Sequence, residues 1–295
     1  MTSITSTPRR LRALAGLAAA LACLAGPARA EIDLSGEWES LRHEDAIERG
    51  PGSPVGDFLG LPINEAGRLR GERWNAELLS VPEHQCIPHT AAYSAMHGNL
   101  RIWKEVDPSS QEVVAWHMLF ESYNRFRTIW MDGRPHPSEH HRHTWQGFST
   151  GKWDGDVLVI TTTHLKPGHI RRNGIDHSDR ATLVEHVTRH GDVLTFISTL
   201  EDPIYLTEPY IHSRNFRLNP NQRIRPYTCT PVIEAERAGH RIPHYLPGSN
   251  PLLAELAATV GLPLATTLGG AETMYPEYRQ TLERLRAGAP AERAP

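Results

Sequence analysis

Between residues 98 and 218 the sequence is a succession of short alternating runs with little more than a turn between them. No other feature limits the fold as much. In residues 113–120, Val114, Trp116, Met118 and Phe120 share one face of an extended chain, because successive side chains in a strand point to opposite sides. Asp107-Pro108-Ser109-Ser110 forms the turn before that run, and residues 125–131 give a further run that ends at Asp132-Gly133. Trp153-Asp154-Gly155-Asp156 is a hairpin signal leading into Val157-Leu158-Val159-Ile160-Thr161-Thr162-Thr163. Runs at 181–190, 193–200 and 205–218 are joined by His190-Gly191-Asp192 and Glu201-Asp202-Pro203. Short connections make sequential antiparallel neighbours. A meander of six or more strands curls or closes to remove its edges. The expected fold is therefore mainly β, an antiparallel meander closing into a barrel or half-barrel of lipocalin-like type, with peripheral helices.

The flanks complete this picture. Ile32-Asp33-Leu34-Ser35-Gly36-Glu37-Trp38 reads as a strand whose glycine permits a tight bend and whose tryptophan plugs a barrel end. Residues 64–79 read as a helix capped by Asn64, with Leu69, Trp74, Leu78 and Leu79 as a rough apolar stripe. Residues 251–260 and 275–285 read as helices opened by or near a proline, placed to cover a barrel mouth or side. The expected organisation is a signal peptide at 1–30 and one barrel-like domain at 31–295. Within that domain, 31–97 hold a strand and a helix, 98–218 the meander, 219–288 a helical cover and 289–295 a frayed tail.

Residues 1–30 carry Arg9, Arg10 and Arg12, then an uncharged run over 13–26, then Pro27-Ala28-Arg29-Ala30. This order of basic, apolar and Ala-x-Ala segments predicts export with cleavage near Ala30, giving a periplasmic or secreted product. The apolar run is shorter than the ~20 residues that span a bilayer, and no later segment is long enough to do so. The leader holds four arginines and no acid, so its removal takes the net charge from −3 to −7. An acidic surface repels phosphate backbones and argues against nucleic acid as a partner. Two cysteines remain, Cys86 and Cys229, and in an oxidising compartment they are expected to form a structural disulfide.

Several stretches carry a resemblance. They are Met131-Asp132-Gly133-Arg134-Pro135-His136-Pro137 and residues 145–159, from Trp145-Gln146-Gly147-Phe148-Ser149 to Asp156-Val157-Leu158-Val159. With His164-Leu165-Lys166, Arg171-Arg172-Asn173-Gly174, Pro82-Glu83-His84-Gln85-Cys86 and residues 273–278, the chain resembles a group of exported bacterial proteins that have no established activity. The resemblance covers most of the chain after residue 30. It implies export and carries over no catalytic residue.

The chain holds 17 histidines, all after the leader. In Glu139-His140-His141-Arg142-His143, an extended backbone would set His141 and His143 on one face about 7 Å apart, suited to one divalent ion such as zinc, copper or iron. A third ligand would come from elsewhere, His117, His164 and His186 being the candidates. His164 and Lys166 continue the face of Leu158, Ile160 and Thr162. The next run alternates Thr182, Val184, His186, Thr188 and His190 with Leu183, Glu185, Val187 and Arg189. Neither face is purely apolar, which fits a polar lumen. Histidine beside a carboxylate is an acid–base pair near neutral pH, so His164, Glu185, His186 and Glu208 are the candidate catalytic groups. Trp145, Lys166, Arg171, Arg172 and His190 are the candidate substrate-binding groups, the arginines for an anionic moiety.

Gly147-Phe148-Ser149-Thr150-Gly151 matches the pattern of a serine nucleophile elbow, but that elbow needs a following helix and a strand follows here. A turn is the better expectation for Ser149. Two functions fit what remains. One is an enzyme doing histidine/carboxylate chemistry, metal-assisted or not, on a small organic substrate, as hydrolase, lyase or isomerase. The other is a periplasmic carrier or binding protein for a small ligand. Aromatic residues make up 7% of the chain, which argues against a greasy, lipid-filled lumen.

Overall fold

The computed structural model describes residues 32–42, 53–95, 98–233, 241–288 and 290, and every strand and helix among them belongs to the unit Leu34–Pro295. The expected signal peptide and nearly all of the expected frayed tail lie outside the described residues. The eleven strands are β1 (Gly36–Leu41), β2 (Leu100–Val106), β3 (Val113–Phe120), β4 (Arg125–Trp130), β5 (Phe148–Asp154), β6 (Val157–Thr163), β7 (Gly168–Arg171), β8 (Ile175–His177), β9 (Thr182–His190), β10 (Val193–Glu201) and β11 (Tyr210–Leu218). Nine of them close a barrel in the order β1-β11-β10-β9-β6-β5-β4-β3-β2, and β7 and β8 form a separate hairpin. Closure comes from β1, which pairs β11 on one side and β2 on the other.

The meander holds with two departures. β4 and β5 are parallel, so residues 131–147 must run back along the barrel before β5 starts. Between β6 and β9, which pair directly, the chain leaves the wall to make the β7–β8 hairpin. The expected 205–218 strand starts only at Tyr210. Asp202 explains this, since its carboxylate accepts from Ser178 N, Ser178 Oγ and Ile204 N, and Leu206 bridges to Ile63 instead. Ser149 lies within β5 and not in a turn.

Alternation sets the interior. Trp38, Ile102, Trp116, Met118, Phe120, Ile160, Phe196 and Phe216 are all fully buried, each worth about 1.5–3 kcal/mol relative to exposure. Trp38 sits where the wall closes, its Nε1 donating to Leu34 O at 3.0 Å. Gly36 has φ +155°, a conformation that side chains rarely adopt, and a Cβ there would have to displace Leu218 Cδ1 at 2.6 Å.

At the mouth where β3, β6 and β10 end, a cap packs on the barrel through Phe58, Leu61, Ile170, Ile175, Leu183, Leu200 and Leu253. Its helices are α1 (Glu65–Glu72), α2 (Ala91–Ser94), α3 (Leu253–Val260), α4 (Leu264–Thr267) and α5 (Tyr278–Arg286). The helix expected over 64–79 is therefore much shorter. Asn64 caps it as expected, accepting from Gly67 N, but the face it buries is Gly67, Gly71 and Glu72, not Leu69. The reason is close approach: a Cβ on Gly71 would meet Ile175 Cδ1 at 2.5 Å and Phe58 Cζ at 2.6 Å. No helix among the described residues is long and apolar enough to cross a membrane.

Candidate functional site

The histidines singled out in the sequence divide between the outer wall and the cap. His186 and His190 are exposed on β9, on the face away from Leu183, Glu185 and Val187. Glu208 is exposed in the loop before β11. Glu185 points inward, as its strand position allowed, but its partner is Arg127 Nη2 at 2.6 Å, with both side chains 1% exposed. Arg189 instead lies over the Trp38 ring at 5.3 Å. His117 is on the outer wall, stacked on Phe126 and hydrogen-bonded to Thr128 and Glu105.

His164 does not continue the Leu158–Thr162 face. Its φ of +58° ends the strand geometry at Thr163 and turns the ring toward His141 and His143, at centroid distances of 5.9 and 5.3 Å. His143 Nδ1 donates to Leu165 O at 2.9 Å, which holds that nitrogen away from a metal. Among the described residues, no group of three or more His, Cys, Asp or Glu is placed to hold a metal ion. Lys166 lies over the Trp145 ring at 4.6 Å, so two of the expected substrate-binding residues pair with each other. Arg171 is buried in the cap against Asp57.

What the cap does assemble is a file of rings at the mouth. Ring centroids run from Trp74 to His169 (5.9 Å), Tyr93 (6.2 Å), His89 (4.8 Å), Tyr123 (5.0 Å) and Tyr227 (4.5 Å). Trp74 and Tyr93 are buried, His169, His89 and Tyr123 half-buried, and Tyr227 exposed. Each ring is positioned by a different element. Trp74 follows α1 and is held by Asn250 Nδ2 donating to Glu72 O and Trp74 O, while Gly174 at φ +96° lets the hairpin close onto it, a Cβ there meeting Trp74 Cβ at 2.5 Å. Tyr93 is on α2, fixed by Ala91 N to Trp145 O and by Arg125, which donates to Ser94 Oγ and Ser94 O. Tyr123 is in the turn between β3 and β4 in left-handed backbone, φ +59°. Tyr227 rides on a segment tied down by Asn124, which donates to Arg225 O, and by the Cys86–Cys229 disulfide, as expected from the cysteine count. Cys86, Tyr123 and Asn124 all have positive φ, and backbone of that kind in non-glycine residues gathers at functional sites.

Within the file, His169 and Asp176 stand opposite each other across the β7–β8 hairpin, Nδ1 to Oδ1 at 2.7 Å. Arg70 Nε donates to the other carboxylate oxygen at 2.9 Å. Burial pushes the Asp176 carboxyl up, but the hydrogen bond and charge of His169, and then Arg70, hold it below the ordinary carboxylate range. The Asp176 carboxylate thus orients the His169 ring through Nδ1. Burial raises the Tyr123 phenol above its ordinary value, Tyr227 adds to this, and the charges of Arg172 and Arg125 oppose it. Burial also lowers Arg125 to about 9.

Sequence reasoning missed His169, Asp176, Tyr93, His89 and Tyr123. Spacing would not have paired the first two: His169 lies four residues before Asn173 and Asp176 two after Gly174, and they face each other only because the hairpin register shifts between His169 and Arg171.

The molecule is thus a closed β-barrel with a capped, ring-lined mouth. No protein-family model and no curated protein matches the chain. Among solved structures, the crystal structure of the wild-type fluorescent protein UnaG is similar at 10% identity and a TM-score of 0.28, over 63% of this chain and 97% of that one. So slight a likeness says nothing about the site.

Proposed function

We propose that this protein binds a small aromatic organic molecule at the capped mouth of its barrel. The observation that carries this reading is the continuous file of six rings from Trp74 to Tyr227, with Arg125 and Arg172 close enough to bear on the Tyr123 phenol. The partly open rings from His89 to Tyr227 give a planar ligand face and edge contacts, with Tyr93 and Trp74 packed behind them. Export is part of the reading, supported by the leader-like residues 1–30 and by a disulfide of the kind that persists in oxidising compartments.

The His169–Asp176 pair favours a second reading, in which the bound molecule undergoes acid–base chemistry. A histidine whose Nδ1 is held by an ionised carboxylate is a general base at Nε2, and such groups contribute about 10²–10⁴-fold in rate. The 4-nitrophenyl acetate ester probes both readings at once, since its ring tests the file and its hydrolysis tests the histidine. Saturable hydrolysis is expected. His169→Gln should abolish it, Asp176→Asn should lower kcat about 10–100-fold, and Tyr123→Leu should raise KM more than it lowers kcat. His186→Gln, on the outer wall, should change neither. Saturation without dependence on His169 would leave binding alone, and no saturation would remove both readings.

A further inference from the structure

Besides Arg125, which serves the mouth, the barrel interior holds polar side chains that the mouth does not use. β4 turns Arg125 and Arg127 inward, and Arg127 is buried to 1% side-chain exposure. Its Nε donates to Ser149 Oγ at 3.0 Å, and its Nη2 reaches Thr162 Oγ1 and the Glu185 carboxylate. Its Nη1 is buried and has no hydrogen-bond partner, and the same holds for Nε1 of fully buried Trp116. The two residues are close by register. Met118 faces Arg127 and Trp116 faces Ile129 across β3 and β4, so Trp116 and Arg127 are diagonal neighbours on the inner face. Long side chains bridge that diagonal.

Two buried donors without an acceptor are costly, and a guanidinium cannot shed its charge to escape. Arg127 meets the Glu185 carboxylate through Nη2, which leaves the Nη1 edge of its guanidinium for a second acceptor. Around the pair the wall is apolar, with Ile102, Met118, Phe120 and Ile160.

We propose that the barrel interior is a binding site for a small aliphatic carboxylate, its oxygens accepting from Arg127 Nη1 and Trp116 Nε1 and its tail lying among these apolar side chains. This site is separate from the ring-lined mouth, and it stands whether or not the mouth binds an aromatic molecule.

The test is calorimetric titration of unfolded-and-refolded protein, freed of co-purifying molecules, with linear carboxylates from acetate to octanoate and with the matching alcohols. At least one carboxylate should bind, and about tenfold or more tighter than its alcohol, as expected for a hydrogen bond to a charged group. Its binding should shift the Trp116 indole N–H proton resonance downfield. Trp116→Phe, which keeps an aromatic ring, should weaken that binding about tenfold, and Arg127→Gln should abolish it. If Arg127→Gln does not fold, Trp116→Phe decides. Hydrolysis of 4-nitrophenyl acetate by Trp116→Phe should match the wild type, which separates failure of this site from failure of the mouth. Absence of binding across the series, or binding that Trp116→Phe leaves unchanged, would overturn the proposal.

Discussion

At single residues, hydrogen-bond direction fixes protonation. His177 Nδ1 lies 2.9 Å from Ser178 O, which can only accept, so Nδ1 carries the proton. Nε2 of the neutral ring then accepts from the Thr90 hydroxyl at 2.9 Å. The same logic orders a chain on the outer wall. His164 Nε2–H donates to Ser138 O, Thr163 O–H to His164 Nδ1, His136 Nδ1–H to Thr163 Oγ1, and Thr150 O–H to His136 Nε2. Both rings are satisfied while neutral. Burial depresses the His177 pKa, and burial followed by His164 depresses that of His136. The unfolded chain takes up these protons below about pH 6.5 while the folded protein resists. Stability should therefore fall as pH drops from about 6.5 toward the depressed folded values. Urea midpoints measured from pH 7.5 to 5 should show this slope, and His177→Gln should flatten it. An unchanged slope in that variant would mean His177 is not the source. The buried Arg127–Glu185 pair acts differently, since losing one partner strands the other. Glu185→Ala should cost about 3–5 kcal/mol in the same assay.

At the scale of elements, legibility followed length. β3, β6, β9 and β10 were readable because seven to nine residues of alternation leave little choice of face. β7 and β8 have four and three residues, too few to alternate visibly, and they carry the His169–Asp176 pair. His164 was misplaced for a related reason. Periodicity was continued one residue past Thr163, where the backbone turns left-handed. α1 was overextended because Leu69 and Trp74 suggested a stripe, whereas the packing face is glycine. The Cys86–Cys229 bridge spans 143 residues and fastens the Tyr227 segment to the loop before α2. Replacing both cysteines by serine should lower stability by about 2–5 kcal/mol in urea denaturation. It should also raise the KM for the ester probe through loss of Tyr227. An unaltered KM would show that Tyr227 contributes no binding.

For the whole molecule, barrel closure followed from strand number and short connections, and Gly36 with Trp38 marked where the wall seals. The mouth could not be read the same way, because its six rings come from positions 74, 89, 93, 123, 169 and 227. Only the cap's folding onto the barrel brings them into one file. The most direct test of that file is aromatic carbon–proton NMR on labelled protein titrated with 4-nitrophenol, the ring of the ester probe. Saturable shifts centred on Trp74, Tyr93, Tyr123, Tyr227 and His169, with Trp103 and Phe126 of the outer wall unmoved, are the predicted result. Shifts confined to the outer wall, or none at saturating ligand, would contradict a ligand site at the mouth.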